Sequence, residues 1–298
     1  MHNIMNKVFI IIVNWNGKKI LATCLSSIIK ADLKNAPQIV VVDNNSTDGS
    51  QEMVRKSFPK TALLQNKTNL GWAGGNNVGI KYVLRKNAKY VLLLNNDVTI
   101  DKNTIPELIS SFNKVKNIGI VGPKTYYDNK SKNIIADAGG LIEKNRFFGV
   151  NRGQGEKDLG QYKGSFETDF ISGSAMMVKS EVFEKVGFFD ESFYLYYEDT
   201  DFCLRAKKCG YLSIITSKAI VYHKFGQTSK IGSPLHNYFT TRNHFLFVQK
   251  HAPFRVKLKE FIRTPKTAYE FLRSNNGKYS LLGIRDYYLR KFGKQIYW

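Results

Sequence analysis

The sequence predicts an α/β fold: a mixed, mostly parallel central sheet flanked by helices, followed by a helical C-terminal region. Two observations predict it. Short apolar runs alternate with amphipathic stretches through the first half of the chain, the pattern of strand–helix units feeding a parallel sheet. After about residue 235 that alternation gives way to basic residues interleaved with aromatics. A chain of 298 residues, 43% hydrophobic and 23% charged, can bury one large core or one core with a modest appendage.

In chain order, residues 8–13, 39–42, 62–65, 90–94 and 118–121 read as buried strands. Ile20, Leu21, Cys24, Leu25, Ile28 and Ile29 recur at helical spacing and predict a helix over 18–30 with one face on the sheet. A second helix is expected from Ser46 or Asp48, both good N-cap types, to Ser57 before Pro59. Residues 74–86 and 104–114 supply two more. The stretch 124–167 is polar, glycine-bearing and weakly periodic, which predicts excursions or a mobile loop over a site. A strand over 168–178 leads into a helix over 180–186, and another helix starts near Glu198 and runs to Cys209. The economical division is residues 1–235 as a catalytic domain and 236–298 as a basic, aromatic-rich helical region.

Forty-five Lys and Arg against twenty-four Asp and Glu give a formal charge of +21, which favours a polyanionic partner without choosing among nucleic acid, acidic lipid and anionic substrate. Residues 251–298 carry eleven Lys or Arg against three Asp or Glu, with ten aromatics among them. That mixture suits a peripheral membrane surface; packing of the rings on the main core is the other reading. Cys24, Cys203 and Cys209 are odd in number and lack CxxC spacing, so a disulfide framework and a thiolate zinc site are not expected. The apolar run over 8–13 is too short for a signal core or membrane span, and a cytoplasmic protein is expected.

Chemistry concentrates where apolar runs end. IVVVDNNSTDGS places Asp43 at the carboxyl end of a strand, the sheet edge where ligands bind in open α/β folds; helix capping by Asp43 and Ser46 is the alternative. NLGWAGGNNVG over 69–79 is dense in small residues before a helix, which suits close approach to phosphate, although it matches neither a P-loop nor GxGxxG. VLLLNNDVTI ends a strand in Asn95, Asn96 and Asp97, oxygen ligands suited to a hard divalent cation that also holds diphosphate; a simple Asn/Asp turn is the alternative. YLYYEDTDFCLR puts Glu198, Asp199 and Asp201 in a first helical turn, where they serve as a general base or as ordinary caps. His223 closes a later apolar run as metal ligand, phosphate contact or satisfied surface residue.

VNWNG (13–17), VVDNNSTDGS (41–50), NLGWAGGNNVG (69–79), LLLNNDV (92–98), SGSAMMV (172–178), GFFDESFYLYYEDTDFCLR (187–205) and VYH (221–223) occur together and in order. This ensemble, spanning about residues 7 to 230, resembles the inverting family 2 glycosyltransferases of GT-A fold, in particular their rhamnosyltransferase-like branch. The resemblance implies a nucleotide diphosphate sugar donor, a glycan or lipid-linked acceptor in cell-surface polysaccharide assembly, and Mg²⁺ or Mn²⁺ as cofactor. It implies donor contacts at Asn14, Asn16, Asp43, Asn45, Asn69, Gly71, Gly74, Asn76, Asn95 and Asn96, with Asp43 on the nucleoside. Gly173, Ser174 and Asp201 fall to the acceptor, Asp97 and His223 to the metal, and Asp199 to the catalytic base beside Glu198. Asn95 replaces the first carboxylate of the DxD position, leaving Asp97 as its single anion. No nucleic-acid partner is expected, and the setting implied is the inner face of the cell membrane. The alternatives are a nucleotidyltransferase making activated sugars and a non-enzymatic basic protein binding glycan or nucleic acid.

Overall fold

A computed structural model of the chain describes residues 7–31, 36–128, 133–224, 232–274 and 277–295. Strands β1 (Val8–Asn14), β2 (Gln38–Asp43), β3 (Ala62–Gln65) and β4 (Tyr90–Leu94) pair in parallel in the order β4-β1-β2-β3. Between them run α1 (Lys18–Lys30), α2 (Ser50–Ser57) and α3 (Gly71–Leu84). Beyond β4, strand β11 (Ala175–Lys179) is antiparallel to both β4 and β6 (Ile118–Tyr127), and β12 (Leu212–His223) runs parallel to β6. Strands β5 (Val98–Ile100) and β10 (Ser165–Thr168) pair antiparallel with β12, and β7 (Ile135–Asp137) with β6. The sheet is mixed and mostly parallel, as expected.

Alternation along β1 explains the two layers around it. Val8, Ile10 and Ile12 pack with Leu21, Cys24 and Leu25 of α1 and with Ile105 and Leu108 of α4 (Thr104–Ser111). Phe9 and Ile11 point the other way, to Ile80 and Val83 of α3, Phe183 of α5 (Ser180–Val186) and Phe202 of α6 (Glu198–Lys208). A strand buried on both faces must be apolar at every position, which is why VFIII reads as a continuous run.

Two expectations are corrected. The strand expected over 168–178 is broken: β10 ends at Thr168, β11 begins at Ala175, and a turn through Ser172–Gly173–Ser174 separates them. An apolar run cannot reveal such a break by periodicity alone. Of residues 124–167, 129–132 lie outside the described residues, and the rest are more regular than their composition suggests. Strand β6 continues through Tyr127, β7 pairs with it, and β8 (Gly140–Glu143) with β9 (Phe148–Asn151) forms a separate hairpin. Part of the polarity there is internal: the Lys124 ammonium, 4% exposed, pairs with Asp158 at 2.8 Å.

The C-terminal region forms three helices among the described residues: α7 (Pro234–His251), α8 (Phe254–Leu272) and α9 (Gly277–Tyr288). Helix α7 is sunk in the molecule, with Tyr238, Phe239, Arg242, Asn243 and Phe247 fully buried. Gly283 lets α9 lie directly on it, since a Cβ there would come within 2.7 Å of the Tyr238 carbonyl. Helix α8 packs more lightly and turns much of its surface outward.

Candidate active site

Parallel register brings the first site residues together. Asn14 and Asp43 are direct partners at the carboxyl ends of β1 and β2, and both are buried. The Asn14 amide donates to Asp43 Oδ1 at 3.3 Å and accepts from the Asn96 amide at 2.9 Å. This convergence requires Gly17, because a Cβ there would lie 2.5 Å from Asn96 and 2.7 Å from Asn14. Asp43 Oδ2 accepts from the Ser46 N–H at 2.9 Å and from Gln51 at 2.7 Å, so three donors fill most of its acceptor capacity. Asp43 thereby organises the loop that leaves Asn16 and Asn45 exposed, both in left-handed backbone at φ 50° and 65°.

The glycine-rich stretch does something other than offer an open helix start. Helix α3 begins at Gly71, three residues earlier than expected, and its first N–H groups are taken. Gly71 N–H donates to Asn69 Oδ1 at 2.9 Å, and Trp72 N–H to the Tyr194 carbonyl at 2.9 Å. A Cβ on Gly71 would meet that carbonyl at 2.4 Å, and one on Gly74 would meet the Leu70 side chain at 2.8 Å. Gly75 and Gly79 lie against Val13 and Ile11 at 2.8 and 2.6 Å by the same measure. These glycines let α3 press onto β1 and onto the loop before α6. Asn76 is buried and donates back to the Trp72 carbonyl at 2.9 Å.

Strand β4 ends in Asn95, Asn96 and Asp97. Trp72 Nε1 donates to Asn95 Oδ1 at 2.8 Å and orients it. Pairing of Val98 with His223 across β5 and β12 sets the imidazole beside the carboxylate, with His223 Nε2 3.0 Å from Asp97 Oδ1. Both side chains are nearly buried, and Asp97 Oδ1 has no hydrogen-bonding partner of suitable geometry. One carboxylate and one imidazole with converging lone pairs suit a divalent cation whose other ligands come from diphosphate and water. No group of three or more His, Cys, Asp or Glu able to hold a metal by themselves occurs among the described residues.

The base side is built around the turn between β10 and β11. Gly173 N–H donates to Asp199 Oδ2 at 2.8 Å, while the Ser174 carbonyl accepts from the Asn95 N–H at 2.9 Å. One turn therefore holds both the Asp199 carboxylate and the strand-end triplet. Asp199 Oδ1 accepts from Thr200 N–H at 2.6 Å. Burial raises the proton affinity of Asp199 above the ordinary carboxylate range, against the pull of these hydrogen bonds. Glu198 is 4% exposed, with Oε2 unpartnered, and burial plus the neighbouring Asp199 charge push its proton affinity well up. Asp201 does not face this site. It is fully buried, and its oxygens meet Arg205 at 2.7 Å, His251 at 2.7 Å and Lys250 at 2.9 Å. Burial alone would raise its proton affinity, but these three partners hold it below the ordinary range. Its role is to fasten α6 to the end of α7.

Tyr194, Tyr196 and Tyr197, just before α6, all have left-handed backbone, at φ 65°, 69° and 74°. Bulky residues adopt that region only when surroundings enforce it. Helix α7 enforces it: Asn243 Nδ2 lies 2.9, 2.8 and 2.9 Å from the carbonyls of Phe193, Leu195 and Tyr196. Arg242 donates to the carbonyls of Ser192 and Phe193 at 3.0 and 2.9 Å and to that of Gly293 at 2.7 Å.

A family model described as "Glycosyl transferase family 2" matches residues 9–187, more than half the chain. The chain belongs to glycosyltransferase family 2. This glycosyltransferase is 30% identical to the dTDP-rhamnosyl transferase RfbF of Shigella flexneri over 249 residues, 78% of each chain. It is 29% identical to the low-salt glycan biosynthesis hexosyltransferase Agl10 of Haloferax volcanii, over 80% of this chain and 74% of that one. Among solved structures, GalNAc-T7 with UDP, GalNAc and Mn²⁺ superposes with a TM-score of 0.63 at 15% identity, covering 81% of this chain and 47% of that one. The fold is GT-A, and the chain is a rhamnosyltransferase-like member of its family.

Sequence reasoning missed several residues that shape this glycosyltransferase's site. Asn44 bonds Asn66, Asn69 and Gly71. Asn77 clamps Phe189 and Glu191. Asp137 is buried near both Asp199 and His223; burial and the Asp199 charge push it up to about 7, while the Gly139 N–H, His223 and Arg152 pull it down. The available signals were a lone carboxylate in apolar surroundings, IIADAGG, and a polar Arg–Asn pair inside the aromatic helix NYFTTRNHFLF.

Proposed function

We propose that the enzyme moves a sugar, rhamnose by its branch, from a nucleotide diphosphate to a hydroxyl of a glycan or lipid-linked acceptor in cell-surface polysaccharide assembly, with inversion. The observation that carries this reading is the Ser172–Ser174 turn, which holds Asp199 through Gly173 N–H and the Asn95–Asp97 strand end through the Ser174 carbonyl. In a single displacement Asp199 takes the acceptor hydroxyl proton and the acceptor oxygen bonds the anomeric carbon. The bond to the diphosphate breaks with its electron pair going to the phosphate oxygen. Asp97 and His223 would hold Mg²⁺ or Mn²⁺, which when bound neutralises charge on the departing diphosphate. Raised proton affinity suits Asp199 to this role, because a base works best when its pKa approaches the working pH. Asn16 and Asn45, exposed on the loops that Asp43 organises, are available to the nucleoside end of the donor.

The test is a melting-temperature panel of dTDP-, UDP- and GDP-sugars with and without Mn²⁺, followed by product analysis of the anomeric configuration. A donor that binds the folded state raises the melting temperature. No Mn²⁺-dependent shift with any of them, or a retained configuration in the product, would overturn the mechanism.

Among the described residues no helix is long and apolar enough to cross a membrane. We assign contact with an anionic membrane face to α8. Phe254, Leu258, Phe261, Ile262, Tyr269 and Leu272 are all exposed and recur at helical spacing, and the helix carries five Lys or Arg against two Glu. A second copy of this basic face would be repelled, whereas an anionic bilayer attracts it. Replacing Phe254, Phe261, Ile262 and Leu272 with Ser should abolish binding to phosphatidylglycerol vesicles at low salt without lowering the melting temperature. Equal binding by the variant would refute membrane contact through α8.

A further inference from the structure

A cavity of about 180 Å³ lies between α7, α8 and the β8–β9 hairpin, apart from the cleft of Asp97 and Asp199. Three polar groups face one another across it at distances too long for good hydrogen bonds. Arg146 Nε stands 3.5 Å from Glu260 Oε1 and His244 Nε2 stands 3.7 Å from Glu260 Oε2, with Arg263 Nη1 3.8 Å from Oε1 on the helix's own surface. Arg146 Nε, His244 Nε2 and Glu260 Oε1 are each buried with no hydrogen-bond partner, and the Glu260 side chain is only 4% exposed. Buried polar groups are almost always satisfied by protein or by a bound molecule, so these atoms are open to a bridging partner. Thr240, Thr241 and Thr267 add hydroxyls to the lining, and Phe245 and Phe271 add apolar walls.

The donor and acceptor set selects the ligand chemistry. A phosphate would confront the Glu260 carboxylate, and an ammonium would confront Arg146. A neutral polyol can donate to Glu260 and accept from Arg146 and His244 at once, while an aromatic wall covers its apolar face. The volume equals roughly six waters at about 30 Å³ each, the size class of one sugar ring. The cavity also communicates with the base. Tyr197 Oη lies 3.4 Å from His244 Nδ1, directly precedes Glu198 in the chain, and senses the charges of both Arg146 and Asp199.

We propose that this cavity is a subsite for a neutral sugar of the acceptor, read by Glu260, His244 and Arg146 and set on the Asp199 side of the reaction. The proposal rests on the transfer reading above. Its test is saturation-transfer NMR on the full chain with a panel of methyl glycosides, without donor, on wild type and on Thr241→Leu and Thr267→Leu, which fill the cavity and leave Glu260 in place. At least one glycoside should be saturated by wild type and lose that signal in both variants, while melting temperature and nucleotide diphosphate binding stay unchanged. Asp199→Asn should keep the signal. No saturation by any glycoside, or saturation that survives both variants, overturns the subsite. Saturation that behaves as expected in a chain that transfers no sugar from any nucleotide donor would keep the subsite and sink the transfer reading instead.

Discussion

The donor half and the base half of the site are held by different physics. On the donor side, Asn14, Asp43 and the Asn95–Asp97 triplet stand at the ends of neighbouring strands, and strand pairing brings them to one edge, where the Ser172–Ser174 turn and Trp72 fix the triplet. On the base side, Asp199 follows a loop whose tyrosines sit in left-handed backbone, held by Arg242 and Asn243 from some fifty residues away in sequence. Geometry that follows from register survives side-chain change, whereas geometry enforced by a buried polar clamp is as good as the clamp.

The largest expected effect lies at the reacting carboxylate. Asp199→Asn keeps size and removes the proton acceptor, so turnover should fall by about 10² to 10⁴ while donor affinity changes little. Near-normal transfer by this variant would dismiss Asp199 as base and leave Glu198 as the candidate. Next comes the clamp. Asn243→Ala removes the amide that bridges the carbonyls of Phe193, Leu195 and Tyr196, leaving only Arg242 of the clamp on Phe193, and a displacement of about 1 Å at Asp199 is enough to cost roughly 10² in kcat. If the two halves are independent, donor Kd stays within about twofold, and Arg242→Lys, which cannot fork across two carbonyls, moves kcat in the same direction. Loss of donor affinity in parallel with kcat would show that the halves are one unit. Asp97→Ala probes the other side: nucleoside diphosphate affinity in Mn²⁺ should drop by about 10-fold or more, with little change when the metal is chelated. Titrations that match wild type in Mn²⁺ would remove Asp97 from the metal site.

The same contrast explains what was legible in the sequence. Strands 62–65 and 90–94 and helices 18–30 and 180–186 match their expected bounds, because continuous apolar runs and 3.6-residue spacing are local signals. Asp97 and His223 could be named for the same reason, each standing where an apolar run stops. Asp201, expected at the acceptor, is bonded instead to Arg205, Lys250 and His251, because a carboxylate in a first helical turn looks alike in sequence whether it faces a ligand or basic side chains of the fold. The Arg242–Asn243 clamp and the Arg146–His244–Glu260 cavity join segments that no local pattern connects. Buried polar residues on an aromatic helix are their one local trace.

Asp137 sits between the two halves and supplies the mildest test. Its proton affinity, pushed up to about 7 by burial and by the Asp199 charge, responds also to His223 on the metal side. An acid whose folded pKa exceeds its unfolded value binds its proton more tightly when folded. Its contribution to stability is full below the unfolded value near 3.8 and is lost as pH rises through about 7. At about 1.4 kcal/mol per unit, the lost stabilisation is on the order of a few kcal/mol at pH 8. Asp137→Asn carries no charge at any pH, so at pH 8 in EDTA it should melt several degrees above wild type, roughly 5 to 15 °C, and the gap should shrink to about a third at pH 5 and close only below about pH 4. Glu198 is shifted in the same direction, so the variant keeps some of the decline with pH. An unchanged gap between variant and wild type at both pH values would mean that Asp137 does not titrate in this window. A gap at pH 8 that closes in Asp137→Asn/Asp199→Asn relative to Asp199→Asn alone would identify the Asp199 charge, rather than burial, as what Asp137 feels, and would tie the base half electrostatically to the metal half across this one carboxylate.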